Sequence, residues 1–229
     1  MGATALDLKL NREVGFYTSK VGRKALVAVT GAVLFLYLVA HLIGNLQILA
    51  GPERINAYAH LLHSQPALLW AARLVLLTAV GLHALATVQL WFENRAARPI
   101  RYQRPDTVQA TLASRTMIVS GPLIAVFVVY HILHFTTGTV HPKFVELSVY
   151  NNVVTGFQVL AASGFYILIM ALIGLHLYHG LWSMFQSLGL NHPRYTPLIK
   201  RAAAVLAVAI AGGNIFIPVA VLAGIIRPV

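Results

Sequence analysis

Long runs without a charged side chain alternate with short polar stretches along this chain. Residues 25–52, 74–92, 116–142, 147–193 and 202–226 hold no Asp, Glu, Lys or Arg. Each run can supply the roughly 20 residues that cross a ~30 Å hydrocarbon core as a helix. The pattern predicts five membrane-spanning helices at about 24–49, 67–92, 115–138, 155–187 and 202–226. Arg73, near the start of the second span, can snorkel to the interface. Among the connections, Gly51–Pro66 carries Ile55, Tyr58, Leu61 and Leu62, which suggests a short interfacial helix. Glu93–Ser114 is rich in Arg and Pro, and Thr139–Asn152 carries His141, Pro142, Lys143 and Glu146. In Gly189–Arg201 the prolines of NHPRYTP stop the fourth helix. Met1–Lys20 has no signal-peptide pattern and reads as a mixed surface segment.

Composition supports the same class. The chain is 58% hydrophobic and 10% charged, with a mean hydropathy of +0.74, whereas a soluble domain carries about 25% charged residues. The expectation is one all-α integral membrane domain over residues 1–229, its first four helices forming a bundle. The formal charge of +11 invites a nucleic-acid reading, which the positions of the charges exclude. Lys9, Arg12, Lys20, Arg23, Lys24, Arg95, Arg98, Arg101, Arg104, Arg115, Arg194, Lys200 and Arg201 all fall on one side of the predicted topology. Arg54, Arg73, Lys143 and Arg227 fall on the other. The positive-inside rule then puts the N-terminus in the cytoplasm and the C-terminus outside. Anionic lipid or an acidic partner surface adds a second use for the basic side. Trp91 and Trp182 near cytoplasmic ends and Trp70 near an outer end fit an aromatic belt.

Four of the spans carry histidine: His41, His83, one of His131 and His134, and one of His176 and His179. Ionisable residues inside a membrane are costly and mark function, and imidazole is a ligand for haem iron. At 1.5 Å rise per residue, His41 lies about 25 Å and His131 about 24 Å from the cytoplasmic end of its helix. His83 lies about 14 Å and His176 about 16 Å from that end. The histidines thus sort into an outer and an inner layer roughly 10 Å apart, as two stacked b-type haems require. Within each i, i+3 pair the two rings share a helix face, so depth alone leaves His131 against His134, and His176 against His179, open. Small residues on these helices (Thr30, Gly31, Ala40, Gly44, Gly81, Ala84, Ala86, Gly121, Gly164, Gly174, Gly180) allow close packing and leave room for a macrocycle.

Two absences narrow the chemistry. With no cysteine, the chain ligates no iron–sulfur cluster through thiolates and attaches no c-type haem. Asp7, Glu13, Glu53, Glu93, Asp106 and Glu146 all lie in loops or at helix ends, whereas many proton-coupled transporters need a carboxylate near the midplane.

The segments HLYHGLW at His176–Trp182, continuing to Gln186 and Gly189, SRTM at Ser114–Met117, YHILHFT at Tyr130–Thr136 and KVGRKALVAVTG at Lys20–Gly31 carry a family likeness. Over nearly its whole length the chain resembles the single-chain, di-haem cytochrome b subunit of succinate dehydrogenase and fumarate reductase. That resemblance implies five spans with haem ligands on the first four, and it selects His176 over His179 and His131 over His134. The implied ligands are His41 with His131 in the outer layer and His83 with His176 in the inner layer. Lys24 and Arg115 lie near the inner layer, where they can pair with haem propionates. The implied role is membrane anchor and electron conduit for two haem b groups and a quinone, menaquinone in this class. A FAD-containing flavoprotein subunit would oxidise succinate, and an iron–sulfur subunit would relay the electrons. Outer quinone-site candidates are His60, His63 and Arg73, and inner ones are Lys24, Arg115 and Trp182. One departure stands out: some relatives carry a glutamate two positions before the fourth ligand, where this chain has Gly174, so a proton path of that kind is in doubt. The competing readings are the haem b subunit of another quinone-linked dehydrogenase and a non-redox transporter or anchor whose histidines merely pack.

Overall fold

The computed structural model describes residue 15, residues 19–97 and residues 111–229. Lys9, Arg12, Arg98, Arg101 and Arg104, with most of the first 20 residues and of the Glu93–Ser114 loop, lie outside the described residues. The elements in chain order are α1 (Lys20–Asn45), a 3-10 turn (Leu46–Ala50), α2 (Pro52–His63), α3 (Pro66–Ala96), α4 (Leu112–Phe135), α5 (Val149–Gln158), α6 (Leu160–Ser187) and α7 (Thr196–Leu222). Among the described residues the structure is all-helical. Five segments are long and apolar enough to cross a membrane: α1 with its 3-10 extension, α3, α4, α6 and α7.

Local chemistry sets the helix starts. The Ser19 hydroxyl accepts from the Gly22 amide at 2.9 Å and the Thr111 hydroxyl from the Ser114 amide at 3.1 Å, so α1 and α4 begin on side-chain caps. Proline opens α2, α3 and α7, at positions whose N–H has no helical acceptor to lose.

In the fourth expected span a break at one end and the stop signal at the other differ from the sequence expectation. The span expected over 155–187 is broken at Val159, whose ψ of 106° is extended, so α5 is a separate helix occupying part of the expected outer loop. The break frees the Phe157 carbonyl, and the Ser163 hydroxyl donates to it at 2.5 Å. At the other end α6 is stopped by Gly189, φ +76°, before the prolines are reached. Leu190 N–H donates back to the Phe185 carbonyl at 2.8 Å and Gly189 N–H to Gln186 at 3.2 Å. This is a Schellman closure, which needs a residue able to take positive φ.

In the bundle α6 packs against α7, α4 and α1, and α1 packs against α3. The order around it is α3, α1, α6, α4, with α7 on the outer side of α6. Close approach is permitted by small residues. Ala203, Ala207 and Ala211 of α7 are buried, and a Cβ on Gly174 would stand 3.0 Å from that of Ala211. Position 174 therefore faces α7. The pairs α1/α4, α3/α6 and α3/α4 are not among the closely packed neighbours of the described residues; in the order α3, α1, α6, α4 the first two are the diagonals.

The two ends of the bundle are unlike. Lys20, Arg23, Lys24, Arg95, Arg115, Lys200 and Arg201 gather where α1, α4 and α7 begin and α3 and α6 end; this is the basic end. There Arg23 pairs with Glu93 at 2.7 Å, joining α1 to α3. The far end is roofed by α2, α5 and the chain after α7. Tyr150 N–H donates to Asn56 Oδ1 at 3.0 Å, and the Tyr150 hydroxyl donates to the Arg227 carbonyl at 3.0 Å. Ile48, Ile55, Val154, Phe157, Ile217, Val221 and Ile226 are buried beneath these bonds.

Candidate functional site

The diagonals of the bundle carry facing histidines. His41 of α1 meets His131 of α4 with ring centroids 5.7 Å apart and planes at 87°. His83 of α3 meets His176 of α6 at 6.5 Å and 56°. The structure thus brings together histidines of like depth, from helices that are not closely packed neighbours among the described residues. All four rings stay only half-buried, His83 and His176 in mid-helix and His41 and His131 close to the ends of α1 and α4, so space remains beside them.

Each of these rings has a hydroxyl at Nδ1. Thr30 Oγ1 lies 3.1 Å from His83 Nδ1, and Ser120 Oγ lies 3.3 Å from His176 Nδ1. The Tyr166 hydroxyl is 3.2 Å from His131 Nδ1, and the Tyr37 hydroxyl, one helical turn before His41, is at 3.5 Å, the long limit of a hydrogen bond. The Thr30 hydroxyl already donates to the Leu26 carbonyl at 2.7 Å. Its remaining capacity toward His83 is as acceptor, which puts the imidazole proton on Nδ1 and leaves the Nε2 lone pair free. Ser120 does the same more loosely, donating to the Met117 carbonyl at 3.4 Å. Among the described residues no hydrogen bond engages Nε2 of His41, His131 or His176, and His83 has the Val27 backbone as a further hydrogen-bond partner.

This arrangement suits one ligand chemistry better than another. No group of three or more His, Cys, Asp or Glu side chains is gathered for a metal ion among the described residues, so a bare cation would find two imidazoles and nothing more. A metal that brings its own planar donors needs only two axial ligands. Two facing imidazoles, with centroids 5.7 Å apart in one pair and 6.5 Å in the other, are the donor type that would hold such a group between them. An outer-shell acceptor at the second ring nitrogen is what orients a metal-bound histidine.

The remaining members of the histidine pairs differ. His134 is 1% exposed and its Nδ1 lies 3.1 Å from the same Tyr166 hydroxyl. A Cβ on Gly156 would come within 3.0 Å of His134 Nε2 and 3.0 Å of His141 Nε2, so that nitrogen lies against α5. His179 stands against Trp182, centroids 5.3 Å apart, and His179 Nδ1 and Trp182 Nε1 are buried without hydrogen-bond partners.

Lys24 and Arg115 occupy the first turns of α1 and α4, exposed at the basic end. Trp70 and Trp91 are exposed in belt fashion, whereas Trp182 is half-buried with Lys200 Nζ 4.6 Å from its ring centroid. On the far side His60 and His63 are exposed on α2, His63 Nδ1 bonds the Ala59 carbonyl at 2.9 Å, and Arg73 lies over the Trp70 ring at 4.9 Å. No structure joins these far-side residues to the histidine pairs. The far side instead offers a cavity of about 370 Å³ lined by Tyr130, His134, Thr139, Val140, His141, Pro142, Val159 and Ala162. Sequence reasoning did not single out Tyr37, Ser120, Tyr166 or the positioning use of Thr30. Only Tyr37 carried a local signal, a hydroxyl four residues before a histidine on the same helix. In comparisons with family models, with curated proteins and with solved structures, nothing matches this chain.

Proposed function

We propose that this chain is the membrane anchor and electron-transfer subunit of a succinate:quinone oxidoreductase. One observation carries the reading: two histidine pairs face each other across the diagonals of the bundle, at 5.7 and 6.5 Å between ring centroids. In this proposal His41 and His131 hold one b haem and His83 and His176 the other. Each haem, when bound, supplies a one-electron carrier inside the membrane. The chain's own residues do the rest. Thr30, Ser120, Tyr166 and Tyr37 fix ring orientation, and the apolar helices exclude water. Lys24 and Arg115, at the basic end, neutralise the propionates of the haem held by His83 and His176. The basic end faces the cytoplasm of a cell-membrane location and receives an iron–sulfur subunit, itself bound to a flavoprotein that oxidises succinate. The quinone, menaquinone in this reading, takes the electrons within the membrane.

The test is isolation of the native complex from membranes. The expected result is a reduced b-type spectrum with two haems per chain, two further polypeptides carrying flavin and iron–sulfur clusters, and succinate-dependent quinone reduction. A haem-free chain overturns the haem assignment. Haem with flavin-free partners would place the chain with another quinone-linked dehydrogenase.

A further inference from the structure

The phenol of Tyr166 stands between two histidines of α4, 3.2 Å from His131 Nδ1 and 3.1 Å from His134 Nδ1. A phenol has one proton, so it donates to one of these nitrogens and accepts from the other. It cannot donate to both, and accepting from both would leave a buried hydroxyl proton unsatisfied, which is costly. The two histidines therefore carry their protons on opposite nitrogens. Whichever ring donates Nδ1–H to Tyr166 has a free Nε2 lone pair, and the other has its proton on Nε2.

The facing ring of His41 chooses between them, because it stands across the diagonal from His131. His134 Nε2 lies against Gly156, and His141, whose Nδ1 accepts from the Lys143 amide at 3.0 Å, gives its Nε2–H to the Asn152 carbonyl at 2.8 Å. We propose that Tyr166 is the positioning residue of the far-end pair: it accepts from His131 Nδ1–H and donates to His134 Nδ1, making His131 the ligand and His134 its hydrogen-bonded support. This rests on the haem reading above and deepens it. The chain runs in one direction, His131 to Tyr166 to His134, and each bond polarises the next. A hydroxyl that donates to His134 is a better acceptor for His131, which makes the His131 ring a more basic ligand and favours the oxidised iron.

The test uses the purified complex with wild-type, Tyr166→Phe, His134→Ala and doubly substituted chains. Haem content, the midpoint potential of each haem and the low-temperature electron paramagnetic resonance of the oxidised haems are measured. Phe keeps the ring that packs on Phe127, Phe157 and His131 and removes only the hydroxyl. Both haems are expected to stay, with the potential of one rising and its resonance shifting while the other is unmoved. His134→Ala is expected to move the same haem in the same direction by less, and to add nothing on the Tyr166→Phe background. If Tyr166→Phe leaves both potentials and both resonances unchanged, or if His134→Ala expels a haem, the positioning role is overturned and the haem reading stands. A wild-type complex without haem overturns both.

Discussion

The two histidine pairs hold the same rings by different means. Around His83 and His176 the partners are aliphatic hydroxyls, Thr30 and Ser120, which spend their protons on carbonyls of their own helices. A glycine stands close: a Cβ on Gly31 would come within 3.3 Å of His83 Cε1. Around His131 the partners are aromatic. Phe127 lies nearly parallel to the ring at 5.8 Å, Phe135 stands on it at 67°, and the hydroxyl is a phenol shared with a second histidine. The basic-end pair is therefore fixed by hydroxyls whose own protons each helix settles for itself. The far-end pair is fixed by a network in which α4, α5 and α6 must agree. A local fault at the first should stay local, and a fault at the second should spread.

Ligand removal gives the largest effect and tests whether the pairs are independent. His83→Ala is expected to halve the haem content, leaving His176 without an opposing ring while His41 and His131 still clamp the other haem. Succinate oxidation with a soluble dye should persist. Retention of both haems would take His83 out of the ligand set, and loss of both would make the pairs one unit. Next in size is a methyl added at each pair. On Gly156 a Cβ would stand 2.9 Å from Phe135 Cε1 and 3.0 Å from His134 Nε2 and His141 Nε2. Gly156→Ala should cost about 1–3 kcal/mol as overpacking against three rings and disturb the far-end haem spectrum. Gly31→Ala meets one ring at 3.3 Å, so it should shift only the basic-end spectrum and leave thermal stability nearly unchanged. Equal losses of stability would contradict the contrast between shared and local support.

Much of the outline was legible because it is one-dimensional. Membrane spans follow from charge-free runs, and depth along a helix follows from residue rise, so His41 could be matched with one of His131 and His134, and His83 with one of His176 and His179, before any contact was known. What was missed needed a second helix. Thr30 reaches His83 over 53 residues, Ser120 reaches His176 over 56, and Tyr166 reaches His131 over 35. His131 and His134 share a face, and in the structure the facing His41 on one side and Gly156 of α5 on the other tell them apart. The break at Val159 carries no proline or glycine at its own position, and its compensation, the Ser163 hydroxyl on Phe157, exists only once the chain has turned. Gly189 lay in plain view as the stop of α6, but the prolines beyond it drew the assignment.

A single hydroxyl tests the local character of the basic-end pair. Thr30→Val keeps the shape and removes the acceptor of His83 Nδ1–H, a net loss of about 1 kcal/mol. The expected result is a rise in the potential of the basic-end haem alone, with both haems retained and the far-end resonance unmoved. Thr30→Ser should restore the wild-type value. A shift of both haems after Thr30→Val would mean that the pairs communicate.

The smallest effect separates the two ends by salt. Arg23 and Glu93 join α1 to α3 at 2.7 Å, with side chains 13% and 33% exposed. Such a partly solvated pair is worth about 0–1 kcal/mol and is screened by ions. Tyr150 ties α5 to the Arg227 carbonyl at 3.0 Å, a neutral bond worth about 1 kcal/mol that salt does not screen. Glu93→Gln and Tyr150→Phe should both lower the unfolding temperature slightly in low salt, with both haems kept. Raising the ionic strength should bring Glu93→Gln level with the wild type and leave the deficit of Tyr150→Phe in place. If the two deficits respond alike, the basic end is not held by charge, and the contrast between the ends reduces to the roof of α2 and α5 over the far one.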